Sequence, residues 1–198
     1  MSKIYTKTGD FKTTCVTGGI RVGKDSDVIE ALGTLDEFNS ALGLLLAAAE
    51  ASCKAGKGKN KKFFLRGVIN RIQNDCFVIG SELSSIPARA NAKNTPGSRK
   101  RMEAVRERTL QMEKIIDHLQ ASLPPLHKFI LPEGSVTGAL FQVARSVSRR
   151  MERRIVRFSR KFEVDPAILA YTNRLSDLLF VLSRAVNHKG GEKETIWK

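Results

Sequence analysis

The chain has 198 residues, 41% of them apolar, enough for one domain whose core needs no metal or disulfide staples. Lysines and arginines number 34 against 20 acidic residues, a net charge of +14, so the surface favours anions: nucleic acid, an anionic membrane or phosphate ligands. No run of 18 apolar residues exists to span a membrane, and Cys15, Cys53 and Cys76 lack the paired spacing of a zinc site or disulfide framework.

The opening MSKIYTKTGD carries no apolar signal run, and a cytoplasmic protein is expected. From Met1 to about Asp27 the composition is wrong for a continuous helix. Gly9, Gly18, Gly19 and Gly23 alternate with Thr6, Thr8, Thr13, Thr14 and Thr17. Glycines permit tight turns and threonines supply short donors and acceptors, so two extended stretches or an ordered phosphate-facing loop both fit. The pattern then changes. Leu32, Leu35, Phe38, Leu42, Leu45 and Leu46 recur at spacings of mostly three or four, which predicts a helix over about Val28 to Ala51 with Asp27 as its N-cap.

A lysine- and glycine-rich stretch at 54–62 reads as a flexible basic connector. A second helix is predicted over Phe63 to Leu83 and a third over about Arg99 to Ala121, after a polar connection that follows Pro87. Pro124, Pro125 and Pro132 bracket the connector LPPLHKFILPEG. Long helices resume at about Ser135 to Phe158 and Pro166 to His188, the latter started by Asp165 as cap and Pro166 at the first position. Gly190 and Gly191 release the last helix into a terminal tail at 189–198. The fold class is therefore all-α: a single domain, residues 1–198, built as a five-helix bundle with a glycine/threonine-rich N-terminal loop.

Anion-binding chemistry is concentrated in two places. In TKTGDFKTTCVTGG, turn amides, Lys7, Lys12 and the Thr13 and Thr14 hydroxyls can hold phosphate, and Asp10 can help orient Mg2+; a purely structural glycine-rich loop fits the same residues. In ARSVSRRMERR, Arg145, Arg149 and Glu152 follow at spacings of four and three and share a helical face that Arg153 extends, while Arg150 and Arg154 point around it. Arginine forks so clustered can grip a triphosphate, with Glu152 holding an arginine or a metal ion. They can equally form a solvent ion-pair ladder. Asp36, in TLDEFN, is a candidate partner for Arg145 or a plain surface charge. Asn173, Asp177 and Phe180 share a face of the last helix.

Taken in order, IYTKTGD, TTCVTGGIRVGKD, EALGTLDEFNSALG, LPPLHKFILPEG, ARSVSRRMERR and NRLSDLLFVLSR resemble the human-type, propanediol-utilisation-type ATP:cob(I)alamin adenosyltransferase family over nearly the whole chain. The resemblance implies a homotrimer with ATP near a subunit boundary, and transfer of the 5'-deoxyadenosyl group of ATP to cob(I)alamin with release of triphosphate. The reduced cobalt is the nucleophile, so no catalytic Ser, Cys or Lys is required.

By the same resemblance, Thr6, Thr8, Gly9, Asp10, Thr13 and Thr14 belong to the ATP loop and Lys24 sits near the phosphate tail. Arg149, Arg153 and Glu152 form the ATP/Mg2+ constellation, with Glu152 as metal ligand, and Asn173 adds nucleotide contacts. Asp36 and Arg145 match a pair that organises the corrinoid site and subunit packing. Phe129 matches an aromatic residue near the corrin ring, where bulk prevents lower-face coordination. A reductase and a cobalamin-dependent recipient enzyme are implied partners. Phe11 and Lys12 depart from the family pattern, standing where a basic residue and a glycine are usual. A noncatalytic corrinoid carrier and a basic nucleic-acid binder are the competing readings, the latter disfavoured because neither a DNA-reading helix nor an RNA aromatic platform is present.

Overall fold

The computed structural model describes residues 4, 5, 7–54, 59–89 and 96–198. A small antiparallel hairpin comes first, β1 (Thr13–Cys15) and β2 (Arg21–Gly23), in the register Thr13 to Gly23, Thr14 to Val22 and Cys15 to Arg21. Five helices follow: α1 (Asp27–Lys54), α2 (Lys59–Ser85), α3 (Pro96–Gln120), α4 (Val136–Ser159) and α5 (Pro166–Gly190). The expected bundle is present, with the hairpin as an addition at the place where the sequence allowed extended stretches.

Helix α4 packs against both α1 and α5, α3 lies on α5, and α2 lies on α1. Phe38, Leu42 and Leu45 of α1 meet Phe141, Met151 and Ile155 of α4 and Leu175, Leu178 and Leu179 of α5 in a continuous core. Each set repeats every three or four residues, so each helix turns one apolar stripe inward. Two buried carboxylates tie the outer helices to this core. Asp75 of α2, 2% exposed, accepts the Tyr171 hydroxyl of α5 at 2.8 Å and pairs with Arg108 of α3. Glu82 accepts from Ser98 Oγ at 2.5 Å and from Arg101 at 3.0 Å.

The caps follow local chemistry. Asp165 accepts the Ala167 amide at 2.8 Å ahead of α5, and Gly191 ends that helix at φ 82°, the left-handed conformation glycine adopts freely. Ser135 caps α4 by accepting the Gly138 amide at 3.1 Å. Asn187, in the last turn of α5, takes the Ser135 amide at 3.1 Å and donates to the Glu133 carbonyl at 2.9 Å. This fixes where the 124–134 connector enters α4.

Two sequence expectations need correction, and a third gains detail. Asp27 is not a cap: it is the first residue of α1, and its carboxylate turns to Arg157 at 2.7 Å and Lys161 at 2.6 Å. Those contacts hold its pKa below the usual carboxylate value, the Lys161 hydrogen bond contributing most and burial opposing it. The basic connector is shorter than 54–62, because α1 continues through Lys54 and α2 begins at Lys59; residues 55–58 lie outside the described residues. The terminal tail folds back. Ile196 bridges Ile130, the Leu131 amide donates to the Thr195 carbonyl at 2.9 Å, and the Trp197 amide donates to the Phe129 carbonyl at 2.9 Å. Among the described residues no helix is long and apolar enough to cross a membrane.

Candidate active site

Helix α4 sorts its arginines onto two flanks. Ala144, Val147, Ser148, Met151 and Ile155 face the bundle. On one side of that stripe Arg150 pairs with Glu37, Arg154 with Glu30 at 2.9 Å and Arg157 with Asp27 at 2.7 Å, a ladder that zips α4 to α1. On the other side Arg145, Arg149 and Arg153 repeat every four residues, and none of them has a carboxylate partner among the described residues. The ion-pair ladder that the sequence allowed is present on one flank, while the arginines of the other flank meet no carboxylate among the described residues.

Arg145 is half-buried. Its Nε donates to Gln142 Oε1 at 2.8 Å, and its guanidinium lies 6.0 Å from the centre of the Phe180 ring on α5. Burial, and secondarily the neighbouring Arg149 charge, lower its pKa from the ordinary arginine value. It remains a cation, since an arginine starts so far above neutrality. Cations held beside one another without a counter-charge raise the local affinity for a polyanion.

Glu152 lies one turn along the same face. Asn173 of α5 donates to Glu152 Oε1 at 3.0 Å, joining two candidates from separate helices. Asp177, one turn further on α5, is taken up by Arg174 at 2.6 Å, which also reaches Glu113 at 3.1 Å. Among the described residues there is no group of three or more His, Cys, Asp or Glu side chains able to hold a metal. A lone carboxylate would be only one of the oxygen ligands of a cation such as Mg2+, the rest coming from substrate phosphates and water.

The N-terminal loop has its own scaffold. The hairpin docks on the end of α2, where the Thr17 amide and hydroxyl meet Ser84 Oγ at 3.0 and 2.6 Å. Lys24 packs over Gly9, its Nζ 3.5 Å from the point a Cβ would occupy. Lys7 and Lys12 sit at φ 60° and 63°. For a residue with a side chain this left-handed conformation costs about 1–2 kcal/mol. Lys12 thus occupies a position whose backbone suits glycine, the residue usual there in the family that the sequence resembles. The Lys24 amide donates to the Lys12 carbonyl at 2.9 Å. Thr8, Gly9, Asp10, Thr13, Thr14 and Lys24 are gathered in this corner; Thr6 lies outside the described residues.

Phe129 is 78% exposed on the connector before α4, which excludes simple core packing. The returning tail holds it: the Trp197 ring meets it edge-on at 6.5 Å between centroids. Arg184, buried in α5, grips Glu194 at 2.6 and 3.1 Å and the Pro124 carbonyl at 2.8 Å, clamping tail and connector together. Sequence reasoning missed these tail residues. The signal available was a lone tryptophan in an otherwise polar terminus.

Asp36 does not pair with Arg145 within the chain. It is exposed on α1 beside a cleft of about 170 Å3 shared with Asn39 and with Phe77 and Ser81 of α2, while its neighbour Glu37 takes Arg150. No hydrogen bond or ion pair among the described residues joins the N-terminal loop to Arg149, Glu152 or Asn173. Cavities of about 500 and 330 Å3 lie elsewhere, lined by none of the candidate residues. Arg149, Arg153, Asn173 and Phe129 are exposed, whereas Arg145 and Glu152 are half-buried.

An all-α bundle with a cationic α4–α5 face, a glycine/threonine corner and an exposed aromatic suits an anionic, phosphate-bearing ligand. The family model for cobalamin adenosyltransferase matches residues 4–186. A cobalamin adenosyltransferase of Cupriavidus metallidurans is 38% identical over 198 residues, covering 100% of this chain and 95% of the relative. The corrinoid adenosyltransferase of Bacillus subtilis is 39% identical, covering 96% and 89%. A solved structure of a PduO-type ATP:corrinoid adenosyltransferase variant from Lactobacillus reuteri, complexed with cobalamin and ATP, superposes with a TM-score of 0.81 at 27% identity, covering 99% of both chains. The chain belongs to the cobalamin adenosyltransferase family.

Proposed function

We infer that this chain is an ATP:corrinoid adenosyltransferase, which transfers the 5'-deoxyadenosyl group of ATP to cob(I)alamin to form adenosylcobalamin and triphosphate. The observation that carries the reading is the α4–α5 face, where Arg145, Arg149 and Arg153 form no ion pair among the described residues and flank the Glu152–Asn173 contact. The cobalt(I) lone pair attacks the ribose C5', the cobalt–carbon bond forms, and the C5'–oxygen bond breaks with its electrons leaving on triphosphate. What the protein must supply is alignment and a home for the developing anionic charge. Arg149 and Arg153 bind the triphosphate oxygens as forked donors. Glu152 is the residue here that would hold Mg2+, with Asn173 orienting its carboxylate; the ion would offset phosphate charge.

Phe129 is assigned to the corrin side. Solved structures of the Lactobacillus reuteri enzyme carry substitutions of a phenylalanine and of an arginine twenty positions further on, the same separation as Phe129 and Arg149. Its exposure leaves the ring available to fill the lower face of a corrin and keep a nitrogen ligand off cobalt. The active assembly is a homotrimer, in which the loop of one copy covers the α4–α5 face of the next. The exposure of Arg149, Arg153 and Asn173, and the lack of any bond from the loop to them among the described residues, support this arrangement. Asp36 and Arg145, unpaired within the chain, then meet across the boundary. A reductase supplying cob(I)alamin and an enzyme receiving the finished cofactor complete the setting.

The test is an anaerobic reaction with ATP, Mg2+ and chemically reduced cobalamin, following adenosylcobalamin by its spectrum and triphosphate by chromatography. One triphosphate per cobalt–carbon bond is expected. Corrinoid binding without either product supports a carrier and contradicts the assignment.

A further inference from the structure

Arg21 belongs to neither flank of α4, yet it organises the N-terminal loop. It stands on β2, paired with Cys15 in the hairpin register, and its guanidinium reaches over the strand to the loop. One nitrogen, Nη2, donates to the Thr8 carbonyl at 2.7 Å and to Thr13 Oγ1 at 2.5 Å. The other, Nη1, lies 3.9 Å from Cys15 Sγ. Residues 8 and 13 bracket the turn that carries Gly9, Asp10, Phe11 and Lys12, so a single planar group pins both ends of that turn. Between the pinned ends Lys12 is held at φ 63°, a conformation it does not favour. Without an external tie, the turn relaxes toward conformations that move its amides and hydroxyls.

We propose that Arg21 is a positioning residue for the nucleotide loop, holding the turn from Thr8 to Thr13 in the shape that receives the ATP polyphosphate. The proposal rests on the adenosyltransferase reading given above. Arg21 acts through the loop rather than on the reacting atoms. Its two contacts use neither the Thr14 hydroxyl nor a turn amide, although the Asp10 amide already donates to the Lys7 carbonyl at 3.3 Å. Arginine is the side chain suited to the task, because a rigid fork can serve two acceptors that a lysine ammonium would meet only with looser geometry. The tie and the strained Lys12 form one mechanical unit: if residue 12 were glycine, the turn would hold this shape with less help.

The experiment measures binding of a non-reactive ATP analogue with Mg2+ by calorimetry, and steady-state KM values for ATP and cob(I)alamin, on purified full-length chain. Arg21→Ala is expected to weaken analogue binding and raise the ATP KM about tenfold, with the cob(I)alamin KM within twofold. Arg21→Lys is expected to recover part of the loss. Adding Lys12→Gly to Arg21→Ala is expected to recover ATP affinity to within about threefold of wild type, a rescue that general destabilisation would not produce. Amide exchange over residues 7–14 in the absence of ligand is expected to accelerate in Arg21→Ala and slow again in the double variant. Unchanged exchange and unchanged ATP affinity in Arg21→Ala, or an equal rise in both KM values, overturns the positioning role. Wild-type chain that binds no ATP analogue and forms no adenosylcobalamin overturns the enzymatic reading itself, a separate result.

Discussion

The two flanks of α4 carry three arginines each on the same helix, and they do opposite things. Arg150, Arg154 and Arg157 meet Glu37, Glu30 and Asp27 of α1 and spend their charge inside the molecule. Arg145, Arg149 and Arg153 meet no carboxylate among the described residues, and Arg145 has an aromatic ring and an amide for neighbours instead. Net charge alone does not distinguish these sets. What distinguishes them is the neighbour: α1 presents acids to one flank, whereas α5 presents Asn173 and Phe180 to the other. A basic segment is therefore left open to an anion only on the side where the fold withholds counter-charges.

The largest effect that sharpens this contrast is catalytic. Arg149→Ala is expected to lower turnover by about 100- to 1,000-fold, the scale on which losing one donor to developing charge is felt. Arg150→Ala is expected to stay within a few-fold, measured in the same anaerobic assay. Equal losses from the two flanks would break the distinction. Phe129→Ala comes next, with turnover falling about tenfold or more while ATP affinity stays within about threefold. Equal loss of both in a folded variant would turn Phe129 into a structural residue.

The remaining predictions concern the stapled flank. Asp27 titrates below its ordinary value, so its contribution to stability is fully present above the unfolded-state pKa of about 4 and is lost as pH falls through the lower folded value. Thermal unfolding from pH 7 to pH 2 should show wild type losing midpoint over that acid window. Asp27→Asn should begin lower and lose less over the same window; parallel curves would remove Asp27 from the account. Smallest is Arg154→Ala, whose exposed pair with Glu30 should change stability by about 0–1 kcal/mol in denaturant unfolding. A markedly larger loss would mean that the ladder holds α4 in place rather than decorating it.

Much of this was legible in the sequence, for reasons that differ by element. The apolar spacing from Leu32 to Leu46 and the Asp165–Pro166 start mark helices because burial and capping act within a few residues of chain. Arg149, Glu152 and Arg153 could be set on one face for the same reason. Helical periodicity stops at the face, however. It does not say which neighbour that face meets, and so the pairing of Glu37 with Arg150 and the exposure of Asp36 were not readable from spacing. The tail was opaque for a related reason. Thr195 and Trp197 are held by backbone bonds to Leu131 and Phe129, partners more than sixty residues away in the chain. The departure at Lys12 was visible, but its consequence, a left-handed backbone without glycine, needed coordinates.

In the proposed assembly the loop of one copy meets the arginine face of another. Co-expressing Asp10→Ala and Arg149→Ala chains with different tags, isolating the mixed assemblies and measuring adenosylcobalamin formation tests this directly. Each variant alone should be nearly inactive. The isolated mixed trimers should regain about a third of wild-type turnover, because one boundary in three then pairs an intact loop with an intact face. No recovery in assemblies that demonstrably contain both chains would contradict a site shared between copies.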